Sequence, residues 1–508
     1  MIPKPPFASS LTLEEEVAAF RRLQPTLARL WQPLTVGLDE PHTSVVVPSM
    51  TLDQRELLKL EGAGYYEERF LFLLIRLRNP RARVVYVTSQ PVHPVILEYY
   101  LQMLAGVPAS HARGRLTMLC AHDASPRSLT EKILERPRLI ERIRCAIPDR
   151  ERAYLTVFAG TPLERKLAVL LGIPLNGCDP DLRDLGTKSG SRKVFRAAGI
   201  DHPAGFEDLT SADDVSRALV ELRRQRPGIR KAVVKLNESF SGEGNAIFRY
   251  PADPDAGATA AGLESLRFVA ADESVGPYFE KLGSMGGIVE EFIEAPVVRS
   301  PSAQLRSGPA GDVIPISTHD QILGGESGQV FLGCRFPADA GYRERVMEAA
   351  LRIGRVLADR GVVSRFGVDF LAWRGADLGP WQLAALEINL RMGGTTHPFL
   401  ALRFLSDGAL ADDGTFRSQS GRVLCYRATD NLHSPRYRGL LPEDLIDIVT
   451  VNRLHYSDRT ESGVLFHLIG ALSQHGKLGL TAIGADQGEA DRLYQRTLDV
   501  LEVETRYR

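Results

Sequence analysis

The sequence predicts a mixed α/β chain divided into three or four units. Three observations carry that reading. Its 508 residues exceed what one hydrophobic core supports, since domains run to about 100–200 residues. Its first third alternates short β-rich runs with helical stretches, the beat of a parallel sheet covered by helices on both faces. Its middle then breaks that beat and sets lysines, glycines and carboxylates into and between strands.

Leu11 to Leu30 reads as an N-terminal helix, with Pro33 marking its end. Val45, Val46 and Val47 form a short strand closed by Pro48, and Glu56 to Arg76 reads as a helix interrupted at Gly62 and Gly64. The pattern repeats with a strand over Arg83 to Thr88, a helix over Val95 to Leu104, a strand over Leu116 to Cys120 and a helix over Leu129 to Ile143. It closes with a strand over Tyr154 to Phe158 and a helix over Leu163 to Leu171. The strands are continuously apolar, which fits burial on both sides. A dinucleotide site is not indicated, because Gly62 and Gly64 lack a third glycine and do not follow a strand.

Composition excludes several classes of function. With 62 Lys and Arg against 63 Asp and Glu, the formal net charge is −1, without the basic excess that nonspecific nucleic-acid or anionic-membrane binding requires. The longest apolar stretch, Phe70 to Ile75, stops at Arg76, far short of the roughly 18 residues of a membrane span. Glu14, Glu15 and Glu16 stand where a signal peptide would be apolar. Cys120, Cys145, Cys178, Cys334 and Cys425 are scattered without a CxxC pair, which points to thiols in a reducing, cytoplasmic setting.

The middle of the chain carries the chemistry. Ala232 to Leu236 is a β-branched run bearing Lys235, followed by the Gly/Ser-containing loop 237–245 and a returning run, Ala246 to Phe248. This is a hairpin without the GxxxxGK[ST] order, so a Walker fold is excluded. Small residues still let backbone N–H groups approach phosphate oxygens, with a lysine at the loop's root as a point charge. A plain hairpin turn accounts for the same residues. Gly287 to Ile293 is an apolar strand that suddenly carries Glu290 and Glu291. Taken alone it reads as an edge strand with a solvated face, the alternative being a hinge that meets a nucleotide base.

The sharpest signal is a pair of strands. Phe366 to Leu371 holds one buried-looking acid, Asp369, and eighteen positions beyond it Glu387 opens the series Glu387, Asn389, Arg391. Strand side chains alternate, so those three share a face while Ile388 and Leu390 point away. If the strands are neighbours, Asp369 joins the polar face. Two carboxylates and an amide oxygen form a hard, all-oxygen set suited to Mg²⁺. Without a cation the two acids would repel and stay poorly solvated. A structural role would require Arg391 to neutralise both.

Together these motifs resemble the ATP-grasp superfamily over roughly residues 175–405, and the whole chain resembles the pheganomycin-type peptide ligases. The C-terminal stretches Gly463 to Leu472 and Gly476 to Gly484 carry the narrower likeness. The resemblance implies a Rossmann-like pre-ATP-grasp domain (1–178), a two-lobed ATP-grasp fold (179–290 and 291–410) and a small C-terminal domain (411–508). It assigns Lys188, in Asp184-Leu185-Gly186-Thr187-Lys188, and Lys235 to the phosphates of ATP, with Ser239, Ser241 and Gly242 in a lid over them. Glu290, Glu291, Phe292 and Ile293 would form the hinge that grips adenine. Asp369, Glu387 and Asn389 would hold Mg²⁺, two ions with Mn²⁺ as a substitute. Arg391 and Lys235 would be catalytic, Arg391 steadying the transferring phosphoryl group. Val297 stands where relatives place a ribose-binding acid, and Glu294 is a candidate replacement.

The implied activity is ATP-dependent amide or peptide formation through an acyl phosphate, joining an amino-acid-like acid to an amino-acid or peptide amine. Its partners are small molecules, with neither nucleic acid nor membrane, and a homodimer is compatible with the sequence. The alternatives are an ATP-grasp kinase acting on a hydroxyl and a non-catalytic nucleotide-binding regulator. Between hinge and metal strands, Thr318 to Gly328 reads either as an acceptor-site lining or as a connecting loop, and Arg335 as a holder of a free carboxylate. His397 reads as a structural histidine sooner than as a general base, and His467 as a core histidine.

Overall fold

The computed structural model describes residues 11–31, 40–51, 57, 61–104, 106–239, 242, 244–251, 262–270, 273–324, 328 and 330–506. Among these residues the chain is a mixed α/β protein with three sheets. Strands β1 (His42–Val47), β2 (Ala82–Thr88), β3 (Leu116–Cys120), β4 (Ala153–Val157) and β5 (Leu175–Asn176) pair in parallel in the order β3-β2-β1-β4-β5. Val45 and Val47 of β1 pack into one core cluster with Ile133, Leu155 and Leu167, whereas Val46 packs into another with Phe70 and Tyr86. That alternation is why the strand reads as continuously apolar: each face is covered.

The helices depart from the sequence reading where proline or glycine intervenes. The first helix, Leu13–Leu23, opens on a reciprocal cap between Thr12 and Glu15, then tightens into a 3-10 turn, Gln24–Ala28, at Pro25. The helix expected over Leu129 to Ile143 is two, Leu129–Leu134 and Pro137–Cys145, with Pro137 starting the second. The segment expected as an α-helix over Glu56 to Arg76 is a 3-10 helix, Ala63–Arg78, entered through Gly62 at φ +75. It buries Glu67, Glu68 and Arg69 beside Phe70 to Ile75.

The second sheet contains β6 (Gly205–Leu209), β7 (Lys231–Leu236), β8 (Asn245–Arg249), β9 (Arg267–Phe268) and β10 (Gly287–Glu291), in the order β6-β10-β7-β8-β9. The expected hairpin is present, with Lys235 opposite Asn245. Strand β10, expected at an edge, instead lies between β6 and β7.

The third sheet is antiparallel and curls through β11 (Val297–Arg299), β12 (Pro301–Ser307), β13 (Val313–Gly324), β14 (Val330–Phe336), β15 (Ser364–Arg374) and β16 (Gln382–Asn389). The short strands β17 (Ala409–Leu410) and β18 (Phe416–Arg417) lead to β19 (Val423–His433), which pairs with β14. Strands β20 (Gly463–His467) and β21 (Lys477–Gly484) continue from β19. The C-terminal region therefore extends the sheet that holds β15 and β16.

Helix Lys188–Ala198 lies against the 3-10 turn Pro180–Gly186, and Gly190 is what permits the approach. A Cβ at Gly190 would stand 1.8 Å from the Asp184 carbonyl oxygen, whereas one at Gly276 meets nothing within 4 Å. Gly190→Ala is expected to lower unfolding stability by at least about 2 kcal/mol, the scale of overpacking against a fixed backbone. Gly276→Ala should change it by less than about 0.5 kcal/mol, and denaturant melts of the two variants check the contrast.

Candidate active site

A cleft of about 930 Å³ opens between the second and third sheets. The register of β15 and β16 sets Asp369 directly opposite Glu387 and Gly367 opposite Asn389. The strand expected to run through Arg391 ends at Asn389, and Arg391 instead makes an isolated bridge to Ala159. Its guanidinium nevertheless returns to the group, donating to Asn389 Oδ1. Asn389 Nδ2 donates to Asp369 Oδ2 at 3.0 Å, and Gln321 Nε2 donates to Asp369 Oδ1 at 2.7 Å. Asp369, Glu387, Asn389 and Arg391 all line the cleft.

The two carboxylates are driven apart electrostatically. Burial, then the charge of Glu387, pushes Asp369 up to about 7. Burial also works to raise Glu387, but Lys188 and Arg391 outweigh it and hold Glu387 below its ordinary value. Lys188 Nζ lies 2.9 Å from Glu387 Oε1. The donor set fits a hard divalent cation: desolvated oxygen ligands on facing strands, one of which ionises reluctantly until a positive charge arrives.

Lys188 begins its helix directly after the cap residue Thr187, whose hydroxyl accepts from Gly190 N–H at 3.0 Å. The Lys188 and Ser189 N–H groups donate to the backbone and side-chain oxygens of Asn237, at 3.3 and 2.9 Å. Asn237 thereby ties the helix to the hairpin loop that follows Lys235. Ser239 and Gly242 line the cleft, and Ser239 Oγ is buried without a hydrogen-bond partner among the described residues. Ser241 lies outside the described residues.

Glu290 turns its side chain into the cleft as the ion-pair partner of Lys235, with Arg192 at 3.5 Å on its other oxygen. Glu290 is 3% exposed, so the solvated-face reading of β10 does not hold. Glu291 N–H donates to the Ala204 carbonyl at 2.8 Å, and Glu291 Oε1 accepts from Ala204 N–H at 3.0 Å. Phe292 N–H donates to the Lys231 carbonyl at 3.2 Å. Phe292, Ile293, Val233, Leu371 and Leu386 give this end of the cleft an apolar lining. Glu294 pairs with Lys231 at 2.7 Å and Arg230 at 3.3 Å.

The remaining expectations divide, with Arg335 lost from the cleft and the two histidines buried as structural residues. Arg335 pairs with Asp491 at 3.2 Å and does not line the cleft. Thr318 to Gly324 belongs to β13 and is no loop, with Gln321 as its contribution to the acid group, while 325–327 lie outside the described residues. His397 and His467 are buried with their Nε2 atoms 2.9 Å apart, and burial pushes both below the ordinary histidine range, His467 to about 4. Their ligand atoms and an Asp430 oxygen lie within 4.8 Å of one another. Arg69 already sits on Asp430 at 2.9 Å, a charge arrangement that opposes a dication there.

The sequence gives no role to Asn237 or Arg192, nor to Arg69, Asp430 and Lys477, which line the cleft beyond Arg391, and offers Gln321 only as one member of the stretch Thr318 to Gly328. One signal was available. Glu67-Glu68-Arg69 stands flush against the longest apolar run of the chain, and charges placed there are either a boundary or a buried polar site.

Comparison with known proteins matches residues 181–250 to a family described as IQCH-like, ATP-grasp, and residues 444–497 to the PGM1 C-terminal domain. The chain is 31% identical over 470 residues to the L-propargylglycine--L-glutamate ligase of Streptantibioticus cattleyicolor, covering 91% of this chain and 94% of that protein. It is 24% identical over 417 residues to IQ motif-containing protein H of Danio rerio, covering 72% of this chain but 38% of that protein. In fold it is similar to N5-carboxyaminoimidazole ribonucleotide synthetase (purK) in complex with ADP, with TM-score 0.53, 12% identity and coverage of 91% and 97%. It is similar also to Rhizobium etli pyruvate carboxylase, with TM-score 0.53, 14% identity and coverage of 90% and 37%.

The raised Asp369 carboxyl generates a pH prediction. Below about 7 Asp369 holds a proton that a cation between Asp369 and Glu387 must displace, so affinity falls as pH falls. Calorimetric titration of Mg²⁺ in the presence of ADP is expected to give binding about tenfold weaker at pH 6 than at pH 8. Equal affinities would count against Asp369 as a metal ligand.

Proposed function

This chain belongs to the ATP-grasp ligase family, and we propose that it couples two amino-acid-type substrates through an amide bond, with ATP converted to ADP and phosphate. The observation that carries the proposal is the convergence of Asp369, Glu387, Asn389 and Arg391 with Lys188 and Lys235 in one cleft. Substrates of amino-acid type follow from the Streptantibioticus relative, whose name gives two amino acids as what it joins.

The site residues then take the following parts. The apolar end between Val233, Phe292, Ile293 and Leu386 receives the base, with the hinge offering carbonyl oxygens because the Glu291 and Phe292 N–H groups are engaged in the fold. Lys188 and Lys235 hold phosphate oxygens, exchanging Glu387 and Glu290 for the nucleotide. Ser239 Oγ supplies a donor that has no partner among the described residues. Mg²⁺ held by Asp369, Glu387 and Asn389, as two ions or with Mn²⁺ in its place, would supply charge neutralisation at the β- and γ-phosphates.

The acid's carboxylate oxygen attacks the γ-phosphorus, ADP departs, and an acyl phosphate remains. Arg391, fixed by Asn389, would steady the charge that gathers on the transferring oxygens and on the oxyanion of the later tetrahedral intermediate. The amine nitrogen then attacks the acyl carbon and expels phosphate, forming the C–N bond as the nitrogen gives up its proton. The protein contributes alignment, charge and exclusion of water, since water would intercept the acyl phosphate.

Incubation with ATP, a panel of amino acids and hydroxylamine tests the reading. Hydroxamate should form in the presence of the true acid, and ADP release without hydroxamate would instead indicate a kinase. Glu387→Ala is expected to abolish turnover while its circular dichroism stays that of the wild type. Arg391→Ala should lower kcat by roughly 10²–10³, the loss found when one oxyanion donor is removed. Lys235→Ala should weaken ATP binding measured by calorimetry, and unchanged affinity would take Lys235 out of the phosphate site.

A further inference from the structure

Beyond Arg391 the cleft ends in a second group of buried charges that phosphoryl transfer does not use. Arg69 comes from the 3-10 segment Ala63–Arg78, Asp430 from β19, and Lys477 from the start of β21. All three line the cleft and are buried. Arg69 Nη1 donates to Asp430 Oδ2 at 2.9 Å, while Arg69 Nε is buried without a partner among the described residues. Lys477 Nζ lies 5.0 Å over the Tyr66 ring and 3.4 Å from the Glu61 carbonyl oxygen. The Glu61 carboxylate is half-exposed and already shared by His433, His475 and Arg438 at 3.4–3.6 Å.

Among the described residues Arg69 is paired with Asp430 at this end, and Lys477 has no ion pair of its own, with Asp430 and the half-exposed Glu61 carboxylate as the nearby negative charges. An uncompensated charge out of water is costly, and burial accordingly pulls Lys477 below its ordinary value. One incoming carboxylate restores the balance. On the amine partner of a ligation, a carboxylate is the mark of an amino acid.

Position decides which substrate it is. The carbons of the Arg69 and Arg391 guanidinium groups lie 5.7 and 6.0 Å from the centroid of the same Phe158 ring. The carboxylate that takes the phosphoryl group has to lie beside Arg391. One held by Arg69 and Lys477 is gripped by a different pair of cations and is not the reacting one. It belongs to the other substrate, whose nitrogen then faces back toward the acyl phosphate.

We infer that this end of the cleft is the subsite for the amine substrate, a free α-amino acid whose α-carboxylate is held by Arg69 and Lys477 and whose α-nitrogen faces back toward Arg391. The inference rests on the ligase reading above and specifies its acceptor. Its test begins with the acid found by hydroxamate formation. Each of the twenty L-amino acids is offered as acceptor beside its α-carboxamide, and product is followed by mass. The expected result is that a free amino acid is coupled with kcat/KM at least 50-fold above that of its carboxamide. Lys477→Met should shrink that ratio at least tenfold through the acceptor's KM, while the KM of the acid in the hydroxylamine assay moves less than threefold. Arg69→Lys, which keeps the charge but loses the fork, should shrink the ratio less.

Equal use of amino acid and carboxamide by the wild-type protein would overturn the inference. So would hydroxamate formation with no amino acid accepted, or a Lys477→Met variant that shifts the acid's KM and spares the acceptor's. Absence of hydroxamate with every acid would be a failure of the ligase reading itself, seen before any acceptor is added.

Discussion

The cleft depends on one constraint: Asp369 and Glu387 face each other across paired strands, out of water, with no room for both to ionise comfortably. Everything around them answers that problem. Lys188 is drawn onto Glu387, Gln321 and Asn389 donate to Asp369, and Arg391 is held through Asn389. The same neighbours that make the empty pair tolerable are the groups a polyphosphate would engage. On the proposed reading, binding would be an exchange of partners, in which Lys188 leaves Glu387 and Lys235 leaves Glu290 for phosphates while Glu387 turns to metal.

The fold explains why these groups can be positioned so closely. Asp369 and Glu387 sit on long antiparallel strands, β15 and β16, inside the curled sheet. Lys188 sits at the start of a helix that Gly190 allows to press against the preceding turn. Lys235 and Glu290 come from adjacent strands of the second sheet and are diagonal neighbours across it. Each side chain is carried by a regular element whose direction is fixed by packing, so little ordering is left for substrate binding to impose.

Much of this was legible in the sequence because the signals are local. Val45 to Val47 declare a strand buried on both faces, and the alternation of Glu387, Asn389 and Ile388 declares which side is polar, since a period of two needs only neighbouring residues. What was not legible depends on pairings far apart in the chain. Glu290 reads as a solvated acid until β10 is known to run between β6 and β7, which puts it beside Lys235. Arg335 reads as a free cation until Asp491 is brought to it. Arg69 and Asp430 are 361 positions apart, and neither residue type nor local spacing could join them. The breaks at Pro25 and Pro137 were visible letters whose effect was underweighted against the apolar periodicity around them.

Phe158 has a consequence for how such an enzyme can change. One phenyl ring lies 5.7 and 6.0 Å from the guanidinium carbons of Arg69 and Arg391, so the two arginines share one neighbour. Replacing that ring to admit a bulkier molecule would disturb both at once. Diversification of such a scaffold is thereby channelled outward, to the mouth around Glu61 and His433, where side chains can be exchanged without touching the shared ring.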